Sequence, residues 1–563
     1  MSSQHFKFWP QHSLHHLEPP ATNVFYNLEV SARRRPEKPC LIYYDTRITY
    51  AEMFSQAQAL AGYLEHRCGV RKGDRVLLYM QNSPQFVIAY YAILRANAVV
   101  VPLNPMYLTQ EVLKCARDSG ARVVIVSQEL FPRLEPVAGG ADLDRLIVAA
   151  YVDYLRAPTD LPVPEFVRAP RRELSGPAVT SWSEALEMGL APGPMTAGPD
   201  DLCVMPYTSG TTGEPKGCMH THRSTMHTLV GSMQWFDTQP EQTLLALVPF
   251  FHVTGMQGSM NGPIYIGNTT VLLPRWDRDV AAECVQRYRV SGWTGVPTLI
   301  QDFFSNPNLE RYDLTSIRRL SGGGAAMPAA VAERLQTRGI TFFEGYGLSE
   351  TIAATHLNPP GRAKPQCLGI PMYGVDSRVV DPVTLVELPP GEVGEIITHG
   401  PQLFQGYWNK PAQTAEALVE IEGKRFLRTG DLGKVDADGY FFMVDRLKRM
   451  INASGFKVWP SEVETLMYQH PAILEACIIG VSDAHRGETV KALVVPRPEW
   501  RGKITDQEII EWCRANMAAY KVPRFVAFLD ALPKSGAGKI QWRELQEREA
   551  AASLQRGDVK TCT

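Results

Sequence analysis

The sequence predicts an α/β fold in which helices flank mostly parallel sheets. Three observations carry this prediction. Strand-like apolar runs alternate with segments of helical periodicity between residues 51 and 126. The chain has 563 residues, which is enough for several domain-sized units. A further change in composition follows Asp445. Alternating strands and helices are typical of parallel sheets that are covered by helices.

The individual elements follow from periodicity. Helices are predicted at 51–65, 85–95, 110–118, 280–288 and 328–337, and strands at 75–80, 98–102, 121–126, 202–205, 244–248 and 269–273. Pro389-Pro390-Gly391 interrupts sequence of β type at 388–397, which predicts an additional β subdomain. We therefore predict a large N-terminal domain at 1–445 and a small α+β C-terminal domain at 446–563.

Composition and charge exclude several classes of function. Hydrophobic residues make up 45% of the chain and charged residues 21%, a globular balance, and the net charge of −2 predicts no nucleic-acid partner. The ten cysteines form no Cys-x-x-Cys pair, so neither a zinc site nor a disulfide framework is predicted, and a cytoplasmic location is expected. No transmembrane segment is expected, because no stretch reaches about 18 apolar residues. Peripheral membrane contact and a homodimer stay open.

One loop combines glycines, hydroxyl side chains and a lysine. It follows the apolar run 202–205 and reads Thr208-Ser209-Gly210-Thr211-Thr212-Gly213-Glu214-Pro215-Lys216-Gly217. Glycines let backbone amides approach an anion, hydroxyls donate hydrogen bonds and Lys216 adds a positive charge, so the loop is predicted to bind phosphate. It is not a P-loop, because no Ser or Thr follows Lys216. The alternative is a flexible surface loop.

The loop resembles the signature of the adenylate-forming (AMP-binding) superfamily, which includes acyl-CoA synthetases, luciferases and the adenylation domains of peptide synthetases. The resemblance extends from about residue 25 to residue 545, with the core motifs in family order. It implies ATP and coenzyme A as substrates, Mg²⁺ as cofactor and a mobile C-terminal domain. It also implies that ATP is contacted by Thr208, Ser209, Gly210, Thr211, Thr212 and Lys216, with Thr211 near the metal.

A second motif reads Gly345-Tyr346-Gly347-Leu348-Ser349-Glu350-Thr351. A carboxylate between hydroxyls suits Mg²⁺, although a capped helix start would also explain the pattern. The motif resembles the superfamily's Tyr-Gly-x-Thr-Glu, with Ser349 in place of threonine. The resemblance implies that Glu350 is catalytic and holds the metal. It further implies nucleotide contacts from Glu344, Gly345, Tyr346, Gly347 and Ser349. The preceding segment Ser321-Gly322-Gly323-Gly324-Ala325-Ala326 resembles the adenine-binding segment of the family, which implies contacts from Gly324, Ala325 and Ala326, and a plain turn is the alternative.

Two charged segments follow. Asp431 ends Arg428-Thr429-Gly430-Asp431, and its carboxylate could accept hydrogen bonds from both hydroxyls of a ribose. Asp445-Arg446-Leu447-Lys448 resembles the hinge of the family, which implies that Arg446 contacts the nucleotide and that Lys448 is the pivot. The residues alone favour a solvated charge run for this second segment.

The last motif places two lysines in a Gly/Ser loop, Pro533-Lys534-Ser535-Gly536-Ala537-Gly538-Lys539. It resembles the final motif of the superfamily, which implies that Lys539 is the catalytic lysine of adenylation. A mobile cation suits this step because a carboxylate must approach an anionic phosphate. The segment Ser454-Gly455-Phe456 resembles the strand that lines the pantetheine tunnel of CoA ligases, which implies contacts to coenzyme A.

The segment Val248-Pro249-Phe250-Phe251-His252-Val253-Thr254-Gly255-Met256 resembles the acyl-pocket motif of the family. The resemblance implies that His252 is a catalytic residue beside the carboxylate. Val253, Gly255, Met256 and Gly258 are the other predicted contacts, and their small or flexible side chains predict an open apolar groove. The alternative for all of them except His252 is ordinary core.

These motifs predict a ligase that forms an acyl-adenylate from a medium- to long-chain fatty acid and then its CoA thioester, with release of AMP. An aryl-CoA ligase of benzoate or cinnamate type, an enzyme that loads a carrier protein, and a silent nucleotide-binding scaffold are the alternatives. Intact Lys539, Glu350 and Asp431 oppose the last of these.

Overall fold

The computed structural model describes residues 3–209, 215–323, 327, 329–453, 456–483, 487–534 and 540–556. Contacts divide the chain into two compact units. The first comprises Met1–Ser377, Thr398–Leu427 and Asp438–Phe441, and the second Arg378–Ile397, Arg428–Ala437 and Phe442–Thr563. The domain boundary at residue 445 stays a prediction. No helix among the described residues has the length and apolarity that crossing a bilayer requires.

The first unit contains a sheet with nine strands among the described residues. In spatial order they are Ile370–Pro371, Ala353–Leu357, Thr341–Leu348, Arg319–Gly323, Gly292–Gly295, Thr243–Ala246, Thr269–Leu272, Pro39–Tyr43 and Thr46–Thr49. The strands from Thr341–Leu348 to Pro39–Tyr43 are parallel, and antiparallel strands complete both edges. The carboxyl ends of the central strands therefore meet at one edge, which is where ligands bind in open α/β sheets.

A second sheet of the first unit has seven described strands. They are His220–Thr221, Leu202–Val204, Val99–Pro102, Arg75–Tyr79, Val123–Ser127, Arg145–Ala149 and Val179–Ser181. Alternate residues enter two different cores: Val76, Leu78 and Ile125 pack in one, and Leu77 and Val124 in the other. Burial of both faces explains the continuous apolar runs of these strands.

The second unit has its own described sheet and helices. Its strands are Phe456–Val458, Ile451–Ala453, Gly487–Pro496, Ile473–Asp483 and Phe525–Phe528. Ile478 packs in one core with helices Pro460–Met467 and Asp506–Asn516, whereas Ile479 packs in the other with Leu545 of helix Trp542–Arg556. Side chains that alternate between two buried faces thus place helices on both sides of the sheet.

The remaining strands and helices agree with the predicted class. A five-stranded sheet of the described residues contains Asp376–Val380, Gly394–His399, Lys424–Val435, Leu418–Ile421 and Phe441–Arg446, and matches the expected β subdomain. The other helices are Phe25–Arg34, Tyr50–His66, Pro84–Arg95, Thr109–Ser119, Glu165–Arg168, Trp182–Glu187, His222–Trp235, Val253–Gly255, Gly262–Ile266, Arg278–Tyr288, Pro297–Phe304, Ala329–Gln336 and Pro411–Ala417.

Candidate active site

Two short strands bracket the predicted phosphate loop. Tyr207–Ser209 pairs antiparallel with Pro215–Gly217, and Thr208 lies opposite Lys216. Gly210, Thr211 and Thr212 lie outside the described residues, and the side chain of Ser209 is not described. The Nζ atom of Lys216 is 5.0 Å from the centre of the Tyr407 ring. The strand pair therefore holds its cation against an aromatic face.

Glu350 lies in the same neighbourhood, in a tight turn after the strand Thr341–Leu348. The Tyr407 hydroxyl donates to Glu350 Oε1 at 2.7 Å, and the backbone N–H of Phe404 donates to the Glu350 carbonyl at 2.9 Å. Burial, together with the Glu350 carboxylate, raises the pKa of Tyr407, so its hydroxyl stays a donor. One tyrosine thus connects Lys216 with Glu350.

The Glu350 turn has an unusual backbone conformation, and a buried histidine contacts it. Ile352 and Ala353 follow it with φ of 45° and 94°, in the left-handed region that residues with side chains avoid. Nε2 of His220 lies 2.6 Å from the Ser349 carbonyl oxygen. Burial lowers the pKa of His220 to about 4, so the ring is neutral at pH 7 and donates this hydrogen bond. His220 joins the end of the phosphate-loop segment to the turn.

The environment of Glu350 fits the magnesium ion that the family resemblance implies. Mg²⁺ is usually held by one or two carboxylates together with phosphate oxygens of the substrate. Among the described residues no three His, Cys, Asp or Glu side chains are grouped to hold a metal by themselves. Glu350 accepts one hydrogen bond from Tyr407 and keeps further lone pairs for a cation. Thr211, the other predicted ligand, is outside the described residues.

The predicted adenine-binding residues lie at the carboxyl ends of two parallel strands. Gly323 pairs with Gly345, and a Cβ atom at Gly323 would come within 2.2 Å of the Gly345 carbonyl oxygen. A Cβ atom at Gly347 would come within 1.8 Å of the Ala353 carbonyl oxygen. The neighbouring backbone comes so close at both positions that only glycine fits, whether or not a nucleotide binds there. Gly324, Ala325 and Ala326 lie outside the described part of the chain.

Glu344 and Tyr346 lie two residues apart on the strand Thr341–Leu348. The Tyr346 ring is 5.6 Å from the ring of His356, which is fully buried. Glu344 is also buried, and its Oε1 accepts a hydrogen bond from the Gln366 backbone N–H at 2.9 Å. Burial raises the pKa of Glu344 to about 7. In this conformation Glu344 fixes a backbone segment, and its predicted contact with the nucleotide stays a prediction.

Asp431 and Arg446 are brought together within the second unit. Arg446 Nε is 3.0 Å from Asp431 Oδ1, and the Asp431 side chain is 2% exposed. The preceding Gly430 has φ of 67° and donates its N–H to Glu395 Oε1. The glycine therefore turns the chain so that Asp431 follows in a fixed position. The side chain of Lys448 is not described, and its backbone lies in the turn Leu447–Arg449.

The C-terminal motif is described only at its ends. Lys534 and Ile540 form an antiparallel bridge around residues 535–539, so Lys539 lies outside the described residues. Lys534 pairs with Glu475. In the predicted coenzyme A segment, Ser454 and Gly455 also lie outside the described residues. Phe456 begins the strand Phe456–Val458, and its side chain is not described. The roles of these residues stay predictions.

The predicted acyl segment begins with His252, whose Nδ1 accepts a hydrogen bond from the Thr254 N–H at 3.3 Å. This bond caps a short helix, Val253–Gly255, in which Val253 is buried, and a π-helical turn, Met256–Asn261, follows. Turns of the π type occur frequently at functional sites.

The open groove along this segment stays a prediction, and two of its residues are closely packed. A Cβ atom at Gly255 would lie 2.3 Å from the Pro249 carbonyl oxygen, so the glycine permits backbone packing. Met256 is fully buried in the main core and fills space. Gly258 differs, because a Cβ atom there would lie 3.1 Å from the Thr294 hydroxyl, which is the end of a side chain. Thr294 in turn contacts Ser321.

Sequence reasoning did not identify Tyr407 or His220. His220 is only four residues from Lys216, and a buried imidazole beside a phosphate loop is a usable signal. Tyr407 is separated from Glu350 by 57 residues, and only a structure could pair them.

Comparison with known proteins resolves the family. The family model for AMP-binding enzymes matches residues 28–408, and the model for the C-terminal domain of AMP-binding enzymes matches residues 462–539. The chain belongs to the AMP-binding enzyme family. Membership confirms the predicted family and fold class of this AMP-binding enzyme.

The similarity to curated relatives and to solved structures extends over nearly the whole enzyme. It is 34% identical over 550 residues to a long-chain-fatty-acid–CoA ligase of Bacillus subtilis, covering 96% of this chain and 97% of the relative. It is also 34% identical over 521 residues to a feruloyl-CoA synthase of Amycolatopsis, covering 92% of this chain and 97% of the relative. The crystal structure of an anthranilate CoA ligase in complex with anthranoyl-AMP matches with a TM-score of 0.80 and 26% identity. The match covers 95% of this chain and 99% of the anthranilate CoA ligase. These similarities confirm the predicted enzyme class, an AMP-forming acid–thiol ligase.

Proposed function

We propose that this enzyme is an ATP- and Mg²⁺-dependent acyl-CoA synthetase whose physiological acids are medium- to long-chain fatty acids. The observation that supports the reaction best is the grouping of Lys216, Tyr407 and Glu350 beside the phosphate-loop strands. Similarity over almost the full length to a long-chain-fatty-acid–CoA ligase supports the substrate class.

In the first step the carboxylate of the acid attacks the α-phosphorus of ATP and displaces pyrophosphate. Lys216 and the loop at 208–212 bind the phosphates, and Glu350 holds the metal, which neutralises phosphate charge when it is bound. Tyr407 orients the Glu350 carboxylate through its hydrogen bond. His252 lies beside the acid, and Lys539 stabilises the charge that develops as the two anions meet.

The nucleotide is held by two sets of residues. Gly324, Ala325, Ala326 and the strand that carries Tyr346 bind the adenine, and Ser349 binds the α-phosphate. Asp431 accepts hydrogen bonds from the ribose. Arg446 lies 3.0 Å from Asp431 and adds positive charge beside the ribose and phosphate.

In the second step the thiolate of coenzyme A attacks the acyl carbonyl, and AMP leaves with the bonding electrons. Ser454, Gly455 and Phe456 line the approach of the pantetheine arm, and Lys448 is the pivot between the two steps. A cytoplasmic location is part of the proposal, because the nine cysteines within the described residues are free thiols.

A second candidate substrate class is supported by its own observation. The feruloyl-CoA synthase is as similar in sequence as the fatty-acid ligase, at 34% identity. An aryl acid is short and flat, and closed packing at Gly255 and Met256 is compatible with a shallow pocket.

The test measures pyrophosphate release with and without coenzyme A for butyrate, octanoate, laurate, myristate, benzoate and ferulate. The proposal expects ATP consumption that depends on the acid, with kcat/KM highest for the longer alkyl acids. Preference for ferulate or benzoate would replace the fatty-acid assignment with the aryl one. Absence of pyrophosphate release with every acid would contradict the proposed reaction.

A further inference from the structure

A cavity lies at the amino-terminal edge of the nine-stranded sheet, away from the candidate active site. Its volume is about 220 Å³, and its lining includes Gly292 and Arg319, the first residues of two adjacent parallel strands. Gly323 ends the strand that Arg319 begins. At about 3.3 Å per residue the two are separated by about 13 Å, so the cavity is not part of the edge where the glycines of the nucleotide motif lie.

The cavity contains a guanidinium group that no carboxylate of the described residues pairs with. Arg319 donates to the Thr238 hydroxyl at 3.2 Å and lies over the Phe236 ring, 4.4 Å from its centre. None of the ion pairs found among the described residues includes Arg319 or its neighbour Arg318, which also lines the cavity. Arg319 keeps some accessible surface, yet desolvation lowers its pKa to about 10. A desolvated cation without an anion is unfavourable unless a ligand supplies the charge.

The other walls indicate what kind of ligand would fit. Phe236 and Phe343 lie 5.4 Å apart, centre to centre, and form an apolar side. Gln242 and Ser291 contribute polar groups, and no described lining residue is acidic. Planar guanidinium groups bind carboxylates with two parallel hydrogen bonds. The volume is below the usual range of about 300–1,000 Å³ for drug-sized ligands, which excludes a nucleotide or coenzyme A.

We propose that this cavity is a second ligand site, which binds a small monocarboxylate through Arg319, with its apolar body against Phe236 and Phe343. A carboxylate with an apolar body matches both walls, whereas inorganic phosphate would leave the aromatic side without a contact. The site lies outside the machinery assigned to adenylation, so ligand binding there is independent of the proposed reaction.

The test is a ¹⁹F NMR titration of the full chain with 4-fluorobenzoate. Arg319→Met removes the charge at similar length, and Arg311→Met is the matched control, because Arg311 is exposed and does not line the cavity. The proposal expects a bound resonance that is lost or weakened about ten- to a hundredfold in Kd in Arg319→Met and kept in Arg311→Met. Any resonance from the acyl site persists in both variants.

If every bound resonance survives in Arg319→Met, the proposal is wrong. Folding of this variant is checked by thermal unfolding, with a melting temperature at or above that of the parent expected, because an unpaired buried charge is removed. Should the variant fail to fold, crystals of the parent soaked with 4-bromobenzoate decide the matter. An anomalous bromine peak in the cavity beside Phe236 supports the site, and a map whose peaks all lie elsewhere overturns it.

Discussion

The Tyr407 hydroxyl donates a 2.7 Å hydrogen bond to Oε1 of Glu350, although 57 residues separate them in sequence. The face of the same ring lies 5.0 Å from Nζ of Lys216. A single buried side chain thus orients the proposed metal ligand and limits the positions of the proposed phosphate-binding lysine. Because the hydrogen bond uses only one lone pair of the carboxylate, it orients Glu350 without preventing it from binding a cation.

Tyr407→Phe should slow adenylation about tenfold and raise the magnesium concentration needed for half-maximal rate. The substitution leaves Glu350 Oε1 without its donor, and a hydrogen bond to a charged group contributes about 1.5–3 kcal/mol. Magnesium titrations of pyrophosphate release measure both effects. Tyr63→Phe is the control, since it removes a comparable bond to Thr180 in another part of the first unit. Identical magnesium curves for parent and Tyr407→Phe would show that the bond has no role in metal binding.

His220→Gln should make the protein less sensitive to acid. The folded-state pKa of His220 is about 4, below the usual 6.5, so the unfolded chain takes up more protons between these values. Stability is therefore fully present above pH 6.5 and is lost as the pH falls towards 4, by roughly 2–3 kcal/mol for this group. Gln keeps a donor for the Ser349 carbonyl and does not titrate.

Melting temperatures from pH 7.5 to 4 measure this effect. The curve of His220→Gln should fall less steeply than that of the parent, whereas His16→Gln, at an exposed site, should follow the parent. Parallel curves for parent and His220→Gln would contradict the assignment of a buried, neutral ring.

Two neighbouring glycines should respond differently to substitution. Gly255→Ala should lower stability by about 1–3 kcal/mol, because its Cβ would lie 2.3 Å from a backbone oxygen. The added Cβ of Gly258→Ala would meet the Thr294 side chain, with its hydroxyl at 3.1 Å, and the variant should fold normally. Melting temperatures test this contrast. If both variants are equally stable, the packing described at Gly255 is wrong.

Gly258 also provides a test of chain length. Each buried methylene contributes about 0.8 kcal/mol, so kcat/KM should rise about fourfold per methylene until the pocket is full. Gly258→Leu should then shift the preferred acid to a shorter chain. An unchanged chain-length profile would place the acyl group away from Gly258.

Lys539→Ala should abolish adenylation and largely spare thioester formation from supplied acyl-adenylate, because only the first step brings two anions together. Lys534→Ala is the control, since Lys534 is paired with Glu475. The two half-reactions are measured separately. Acyl-adenylate formation at the parent rate by Lys539→Ala would remove this lysine from the mechanism.

The predictable parts of the fold are those with a local cause. Strands such as Val123–Ser127 are buried on both faces, and helices such as Thr109–Ser119 are amphipathic, so periodicity was sufficient to place them. Thr341–Leu348 is one continuous strand that includes the motif residues 345–348, because its glycines allow close pairing on both sides. The contact of Tyr407 with Glu350 and the packing of Gly255 against Pro249 depend on tertiary structure, and no local pattern reveals them.

In the proposed reaction the carboxylate of the acid attacks the α-phosphorus of ATP, which transfers one carboxylate oxygen to AMP. The most direct test supplies ¹⁸O-labelled laurate, ATP and coenzyme A to the full chain and analyses the products by mass spectrometry. We expect AMP carrying one ¹⁸O atom, formed in equal amount with lauroyl-CoA and unlabelled pyrophosphate. Release of ADP with the label in inorganic phosphate, or unlabelled AMP alongside the thioester, would contradict it.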